Sequence, residues 1–566
     1  LNIDDISEFI ESKRKRIPVY MENKTENIKE NINEILFTLS DYLKSLGITN
    51  IKRFLKPTKT CFEDPWNYPN MADACEILNF YVKYKENIGI IMDSDMDGAC
   101  SAALIYNFLI YLKVNKDLIH VYHHEGKQHG IKDLVDKIIL NNGKNSLLIV
   151  PDAGTNDRDS CLALSDATIN VLVCDHHIIE NNNIFATVIN NQCDEVTNHA
   201  LSGTGVTDKF IRAYCDIFKI DYPNYSDLVA VSLVADVCDI SVLENRAYIY
   251  HGLKNLTNPF LKFLFDKLCK YRGLTPSAIG WDIAPLANAL ARSDVQESKT
   301  LFFDGLVGNI DPEQTLKQMR KIKREQDAKI KDVVGEIEPN LALDKKVIFG
   351  YTQPENANFT GLIANKILGK YGKPTILLRD TGYGSWSGSL RSPTPLATQI
   401  NKSGIASAQG HEEACGILVK KNKLTKFTEW LETLDLSINP NVEVVAIVDP
   451  KDITLDLCQM VTDYNQLWGH GLEQPTFYIK TRITQDKVFV FEKSMKTLKL
   501  DLGGLNCLKF FASDDDVARF RKYKEFEVEL VVGDLSVNEY EGIKTPQCII
   551  QKYEVHEINE DWSDSF

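Results

Sequence analysis

The sequence contains no C-x-x-C pair, although it has 13 cysteines. That number is odd and the residues are scattered from Cys61 to Cys548, which argues against a disulfide framework or a zinc ribbon. Reduced thiols serving as small buried apolar side chains are expected instead. No apolar run approaches the roughly 18–20 uncharged residues that a membrane-spanning helix needs. The opening residues, LNIDDISEFIESKRKR, do not make a basic-then-apolar secretory signal. These absences set the expectation of a cytoplasmic protein without membrane contact. An excess of positive charge is missing too, since 64 Lys+Arg stand against 79 Asp+Glu for a net charge of -15. A nucleic-acid partner would therefore have to meet basic residues gathered locally, because the overall field repels phosphate. No internal repeat or low-complexity tract interrupts the chain, and 44% hydrophobic with 25% charged residues excludes disorder and fibre. At 566 residues the chain is too long for one core, so about three or four compact units are expected.

Residues 1–84 read as a charged helical extension, with apolar residues at helical spacing at Ile28, Ile32, Ile35 and Leu36 and again at Leu43 and Leu46. From about residue 85, short apolar runs alternate with segments of helical period, the pattern of βαβ units around a parallel sheet. The runs are IGIIM (88–92), SLLIV (146–150), INVLVC (169–174) and ATVI (186–189). Each ends in polar residues: Asp93, Asp152 after Pro151, Asp175-His176-His177, and Asn190-Asn191. Ligands of open α/β sheets bind beyond the carboxyl ends of the strands, so these polar residues are expected to share one crevice. The charged stretch 311–340 reads as a connecting helix. A second alternating region follows at 341–437, with VIFGY, a helix through 362–368 and the strand TILL (375–378). Beyond it lie the short runs VEVVAIV, TFYIKTRIT, KVFVFE, TLKLDL, FEVELVV and QCIIQKY, which suggest a small β-barrel or sandwich.

Asp93-Ser94-Asp95-Met96-Asp97-Gly98 is the densest cluster of chemical groups. D-x-D-x-D-G arises by chance in roughly one chain in a hundred of this length. A calcium loop begins the same way, but it requires a bidentate Glu at its twelfth position, where this chain has Leu104. Its context differs as well, since an apolar strand precedes the motif and the small-residue helix ACSAALIYNFLIYL follows it. Asp175-His176-His177 would alone suit a solvated turn. Asp152, however, ends the neighbouring strand, and Asp236 sits inside the apolar stretch LVAVSLVADVCDI, where a carboxylate is costly unless it is paired or holds a metal. Four Asp and one or two His in one crevice suit two Mn²⁺ or Mg²⁺ ions. Two such ions about 3.5–4 Å apart activate a water and stabilise both the entering and the leaving oxygen of a phosphoryl displacement.

In order along the chain, D-x-D-x-D-G, P-D-A-G, D-H-H and V-A-D-V resemble the four motifs of the DHH phosphoesterase superfamily. Further segments resemble its RecJ branch of single-strand-specific 5′→3′ exonucleases: EDPWNYPNMADA (63–74), SGTGV (202–206), DLVAVSLVADVCDI with LENR, and APLANALAR (284–292). GLIANKILGKYGKPTILL, GSLRS (388–392) and QGHEEACG (409–416) are similar to the DHHA1 domain, and LWGHGLEQPTF (467–477) and VNEYEGIKTPQCII (537–550) to the oligonucleotide-binding barrel of that branch. The resemblance covers about residue 60 to the end. It implies a multidomain α/β fold: a helical extension (1–84), a parallel-sheet DHH catalytic domain (85–310), a long connecting helix (311–340), an α/β DHHA1 domain (341–437) and a C-terminal all-β barrel (438–566).

The same resemblance implies that Asp93 holds one metal and Asp95 the other, that Asp152 bridges them, and that His176 and Asp236 complete the second site. His177 would face the scissile phosphate, with Asp97 and Asp175 hydrogen-bonded behind the ligands. Ser389, Arg391 and His411 would bind substrate phosphate, assisted by Asn288 and Arg292. Three positions depart from the family pattern. Gln409-Gly410-His411 stands for G-G-H, and His124 and His129 replace an Arg and a Tyr expected near the substrate's 5′ end, so recognition of that end is expected to be weaker or pH-dependent. Lys509-Phe510-Phe511 and Arg519-Phe520-Arg521-Lys522-Tyr523-Lys524 interleave cations with rings, as single-strand binding requires, although any one ring in a barrel is more often core.

The reading is a metal-dependent exonuclease that degrades single-stranded DNA from the 5′ end to mononucleotides, serving DNA repair and recombination beside other replication or repair proteins. The alternatives are a DHH phosphodiesterase for short oligonucleotides or cyclic dinucleotides, a pyrophosphatase, and a catalytically idle DNA-binding subunit. The length and the barrel favour the exonuclease, since cleaving a dinucleotide needs no long strand-binding surface.

Overall fold

The four apolar runs between residues 88 and 189 are strands in the computed structural model, which describes residues 39–558 apart from 126–127, 271, 294, 435, 437–443 and 493–495. The helical spacing read at Ile28 to Leu36 lies outside the described residues. The chain runs through β1 (Ile88–Met92), helix Met96–Tyr111, β2 (Ile119–His123), β3 (Ser146–Pro151), β4 (Ile169–Asp175) and β5 (Thr187–Asn190). All neighbouring pairs are parallel, in the order β2-β1-β3-β4-β5. β1 and β3 are buried along their whole length, because helices cover both faces of such a sheet and leave no solvated side to alternate with. β2 is the strand that the sequence did not announce: IHVYH lies at the edge, and only Ile119 and Tyr122 are buried. Strand order reverses between β1 and β3, and a switch point of this kind opens a crevice at the carboxyl ends.

The described residues fall into two compact units, 325–443 in one and 39–324 with the chain from 444 onward in the other. A single helix, Pro312–Ile337, fills the charged stretch between the alternating regions. In the smaller unit β6 (Ile348–Tyr351), β7 (Thr375–Asp380), β8 (Ser385–Arg391), β9 (Ala406–His411) and β10 (Ala414–Lys420) form a mixed sheet in the order β6-β7-β8-β10-β9. Apolar side chains pack on both of its faces, around Ile376, Leu390 and Phe427 on one and Ile363, Ile367 and Leu377 on the other.

The C-terminal residues form β11 (Val444–Ile447), β12 (Thr476–Thr484), β13 (Val488–Phe491), β14 (Thr497–Asp501), β15 (Asn506–Phe510), β16 (Glu525–Tyr540) and β17 (Ile543–Glu557). They make one seven-stranded sheet, β11-β12-β16-β17-β15-β14-β13, accompanied by two helices, Leu455–Asp463 and Asp514–Phe520. Before β12, the segment QLWGHGLEQ clasps the residues preceding 325. The Ile240 backbone N–H donates to the His470 carbonyl at 2.9 Å, Arg246 Nη1 to the Gln466 carbonyl at 3.0 Å, and the Tyr42 hydroxyl to the Glu473 carbonyl at 2.9 Å. Gly471 has to be glycine here, since its φ is +79° and a Cβ would stand 1.9 Å from Asp239 Oδ1.

All 13 cysteines are free, and most are buried, as expected of reduced thiols. No helix among the described residues is long and apolar enough to cross a membrane.

A buried ion pair braces the larger unit. Lys209, wholly enclosed, donates to the Glu244 carboxylate and, at 2.7 Å, to the Glu63 carbonyl. Lys209→Met keeps the bulk but leaves Glu244 without its cation. The expected cost is about 3–5 kcal/mol, read as a lower urea midpoint at an unchanged slope.

Candidate metal centre

Each acidic side chain reaches the crevice because a strand or helix ends there. Asp93 follows β1 directly. Asp95 is the N-cap of helix Met96–Tyr111, where its carboxylate accepts the Gly98 N–H at 3.0 Å. Asp152 follows β3 in the left-handed region at φ +68°, which an Asp side chain tolerates better than most. The approach is tight: a Cβ on Gly98 would stand 2.6 Å from Asp93 Cβ, and one on Gly203 2.3 Å from Asp152 Oδ1. These two glycines let helices Met96–Tyr111 and Gly203–Ile217 press their N-termini against the carboxylates. Asp175, His176 and His177 continue from β4, and Asp236 caps the end of helix Ser226–Ala235.

The expected residues converge. His176 Nε2 lies 3.3 Å from Asp152 Oδ1, 3.7 Å from Asp236 Oδ2 and 4.0 Å from Asp97 Oδ2. Three sets of side chains bring one potential ligand atom each to within 4.8 Å of one another: Asp93, Asp95 and His129; Asp152, His176 and His177; and Asp97, His176 and Asp236. Asp97 is also held by four donors, the backbone N–H groups of Gly203 (2.8 Å) and Thr204 (2.9 Å) and the hydroxyls of Thr204 and Ser232, each at 2.5 Å. Asp175 accepts from the backbones of Thr155 (3.1 Å), His176 (2.7 Å) and His177 (3.2 Å) and from His177 Nδ1 (2.7 Å). The fourth strand end is a brace: Asn190 Nδ2 donates to Thr155 Oγ1 and to the His177 carbonyl, both at 2.9 Å.

The electrostatics are those of a site built to hold cations. Burial, and then the charges of Asp97, Asp95 and Asp93, push the Asp152 carboxyl well up. Burial followed by Asp97 raises Asp236 to about 7, and burial followed by Asp93 and Asp97 raises Asp95. So many neighbouring carboxylates resist ionising together, and a divalent cation among them reverses that penalty. Asp93 Oδ1 and Asp152 Oδ1 are buried without hydrogen-bond partners, which is costly unless each meets a cation.

His177 is drawn the other way. Its hydrogen bond to Asp175 outweighs burial and raises the imidazole to about 9. An elevated imidazole contributes stability that is fully present below about 6.5, its unfolded value, and is lost as pH rises through about 9. Urea midpoints in chelator, compared at about pH 6 and about pH 9.5, are expected to fall in the wild type and to change less in His177→Ala.

Two histidines that the sequence suggested only for the substrate's 5′ end lie instead against Asp93. His124 follows the edge strand β2, and His129 lies on the loop beyond it. His124 is 1% exposed. Its Nδ1 lies 2.9 and 3.0 Å from the two oxygens of Asp133, while its Nε2 stands 3.3 Å from Asp93 Oδ1. With both ring nitrogens facing carboxylates, the imidazole has lost the free face that a strand's terminal phosphate would need. This removes the physical basis for pH-dependent end recognition through it. His129 Nδ1 contacts Asp93 Oδ2. Their departure from the family pattern marked the pair in the sequence, but nothing there placed them beside Asp93.

A family model described as the DHH family, N-terminal domain, matches residues 87–233, and one described as the RecJ OB domain matches residues 446–552. The chain thus carries a DHH-family domain and a RecJ-type OB domain, and it is RecJ-like. A prophage-derived protein of Bacillus subtilis, provisionally named the single-strand DNA-specific exonuclease YorK, is 27% identical over 560 residues, covering 91% of this chain and 96% of that one. The single-stranded-DNA-specific exonuclease RecJ of Escherichia coli is 25% identical over 544 residues, covering 86% and 90%. Among solved structures, RecJ of Thermus thermophilus in complex with Mn²⁺ superposes with a TM-score of 0.72 at 18% identity, covering 91% of this chain and 75% of that one. That likeness is one of fold: parallel-sheet DHH part, further sheets and oligonucleotide-binding part.

The remaining candidates of this RecJ-like chain lie on three further elements. Ser389 and Arg391 on β8 and His411 on β9 share one face of the smaller unit's sheet, since Ala414 of β10 pairs with both Arg391 and His411 and Gly416 pairs with Ser389. Helix Thr360–Tyr371 packs closely on this face, where a Cβ at Gly361 would stand 2.6 Å from Arg391 Nη2. Asn288 and Arg292 lie at the end of helix Ala284–Ala291 in the larger unit, and Arg292 Nη1 donates to the Asn288 carbonyl at 3.2 Å. In the C-terminal sheet Phe520 is core, whereas Phe489, Phe491 and Phe510 are 40, 51 and 43% exposed. The register sets Phe489 beside Lys499 and Phe491 beside Thr497, which in turn pairs with Phe510, so these rings share one face.

Proposed function

We propose that this RecJ-like chain is a metal-dependent exonuclease that hydrolyses single-stranded DNA in the 5′→3′ direction to mononucleotides. The observation that carries this reading is the convergence of Asp93, Asp95, Asp152, His176 and Asp236 around buried oxygens that no protein donor satisfies. The donor set fits two divalent cations, Mn²⁺ or Mg²⁺, since carboxylates and imidazole suit both a charged and a borderline ligand field. When bound, such a pair lowers the pKa of an attacking water and neutralises charge on the phosphoryl oxygens.

In this reading Asp93 would hold one cation, Asp95, His176 and Asp236 would hold the other, and Asp152 would serve both. Asp97 and Asp175 keep the ligands in place through the hydrogen bonds described above. His177, held protonated by Asp175, donates to a phosphate oxygen. Ser389, Arg391 and His411 bind substrate phosphate in the smaller unit, and Asn288 and Arg292 bind it in the larger one. In this reading residues 85–310 are the catalytic domain, 341–437 the substrate-binding domain and the chain from 438 the part that tracks the strand, with helix Pro312–Ile337 between the first two in sequence.

Phe489, Phe491 and Phe510 beside Lys499 offer stacking and a cation on a single face. Phe489→Ala, Phe491→Ala and Phe510→Ala are each expected to weaken binding of a long single strand by about 1–3 kcal/mol. Cleavage of very short oligonucleotides should be nearly unchanged, and fluorescence anisotropy with labelled strands measures the difference. Equal losses on long and short substrates would make these rings structural.

Digestion of 5′- and 3′-labelled linear strands beside circular ones tests the function itself. Mononucleotides released from the 5′ end, with circles intact, are the expected result. Cleaved circles would overturn the exonuclease reading, and hydrolysis confined to dinucleotides or pyrophosphate would favour the other DHH chemistries.

A further inference from the structure

We infer that His124 and His129 are ligands of the cation held by Asp93, so that this first position is built from imidazole nitrogen as well as carboxylate oxygen. The inference rests on the metal-dependent reading above and concerns residues that the reading leaves without a role.

Three observations carry it. Asp133 can only accept, so the close contact of its carboxylate with His124 Nδ1 puts the ring hydrogen on Nδ1 and leaves the lone pair on Nε2. A carboxylate that orients an imidazole in this way is the usual companion of a metal-ligating histidine. Secondly, Nε2 is buried, has no hydrogen-bond partner and stands 3.3 Å from Asp93 Oδ1, which is itself buried and unpartnered. With the ring neutral, the lone pairs of Nε2 and Asp93 Oδ1 face each other and repel unless a proton or a metal cation lies between them. Ligands about 2.0–2.2 Å from one ion come naturally to such a separation. Thirdly, the other Asp93 oxygen faces His129 Nδ1, and the ligand atoms of Asp93, Asp95 and His129 lie within 4.8 Å of one another. Both oxygens of a single aspartate are thus met by imidazole nitrogens supplied from β2 and its loop.

The chemistry has a consequence for selectivity. Mg²⁺ favours oxygen ligands and holds its waters, whereas imidazole favours Mn²⁺ and the later divalent ions. Placing two histidines where the family pattern has Arg and Tyr exchanges groups suited to the substrate's end for groups suited to a metal. The first cation position of this chain should therefore discriminate for Mn²⁺ over Mg²⁺ more strongly than an all-carboxylate position would.

Isothermal titration of the full chain with Mn²⁺, and separately with Mg²⁺, tests this without measuring hydrolysis. The wild type should bind two Mn²⁺. The double variant His124→Ala/His129→Ala should lose one of them, with that Kd weakened at least about tenfold and the other unchanged, and its preference for Mn²⁺ over Mg²⁺ should fall in parallel. Asp133→Asn, a positioning change, should weaken the same ion about 10–100-fold. His129→Ala alone, at a half-exposed loop residue, carries the test in the same direction if the double variant does not fold. Two Mn²⁺ bound to the variants with wild-type Kd values would overturn the inference and leave the proposed function standing. Fewer than two bound to the wild type would overturn the two-cation reading and this inference together.

Discussion

Asp95→Ala and Asp152→Asn are expected to lose hydrolysis by about 10³-fold or more while remaining folded. A bound cation stabilises the charge of a phosphoryl-transfer transition state by several kcal/mol, and each ~1.4 kcal/mol is tenfold in rate. Asn is the informative replacement at Asp152, because it accepts the left-handed backbone at φ +68°, which Ala would meet with strain. Stability in chelator should be unchanged or higher, since removing one of several crowded carboxylates relieves repulsion. Initial rates with Mn²⁺ on a labelled single strand, beside thermal melts in chelator, separate the two effects. Wild-type-like rates in either variant would remove the metal assignment, and loss of the cooperative melt would recast the residue as structural.

Arg391→Lys is expected to lower kcat/KM on a single strand by roughly 10–100-fold despite keeping the charge. The guanidinium offers a planar fork that binds two phosphate oxygens at once, and a charge-assisted hydrogen bond is worth about 1.5–3 kcal/mol, which a single ammonium does not fully restore. Arg391 shares its sheet face with Ser389 and His411 and is half-buried under helix Thr360–Tyr371. Burial also pulls its pKa down from the ordinary value, although a guanidinium remains charged at any working pH. Rates on 5′-phosphorylated and 5′-hydroxyl strands give the readout. An unaltered kcat/KM on both would place substrate phosphate elsewhere.

The clasp around Gly469 and Gly471 bears on how the C-terminal sheet is to be tested. Cutting the chain at about 441 would remove Trp468 and Leu472, which are 5 and 0% exposed, together with the backbone bonds that reach Ile240, Arg246 and Tyr42. A truncated protein would confound lost strand binding with lost packing. Substitutions at Phe489, Phe491 and Phe510 avoid this, because those side chains stand on an exposed face.

The sequence by itself determined the parallel sheet and the identity of its acidic crevice. Apolar runs buried on both faces can be little other than central strands, and polar residues that stop such runs must emerge where the strands end. Asp93, Asp152 and the Asp175-His176-His177 turn were legible for that reason, and Asp236 because a carboxylate is conspicuous in an apolar helix. The edge strand β2 was not legible, since half-exposed positions such as His120 and Val121 carry no continuous burial signal. Only the tertiary structure decided what depends on distance between elements. It placed Asp133 against His124 and both histidines against Asp93, and it set Thr204 and Ser232 around Asp97. It also decided which rings of the C-terminal sheet face outward, because strand pairing fixes the partner across the ladder and with it the face, and a run of alternating residues does not say which face the core will cover.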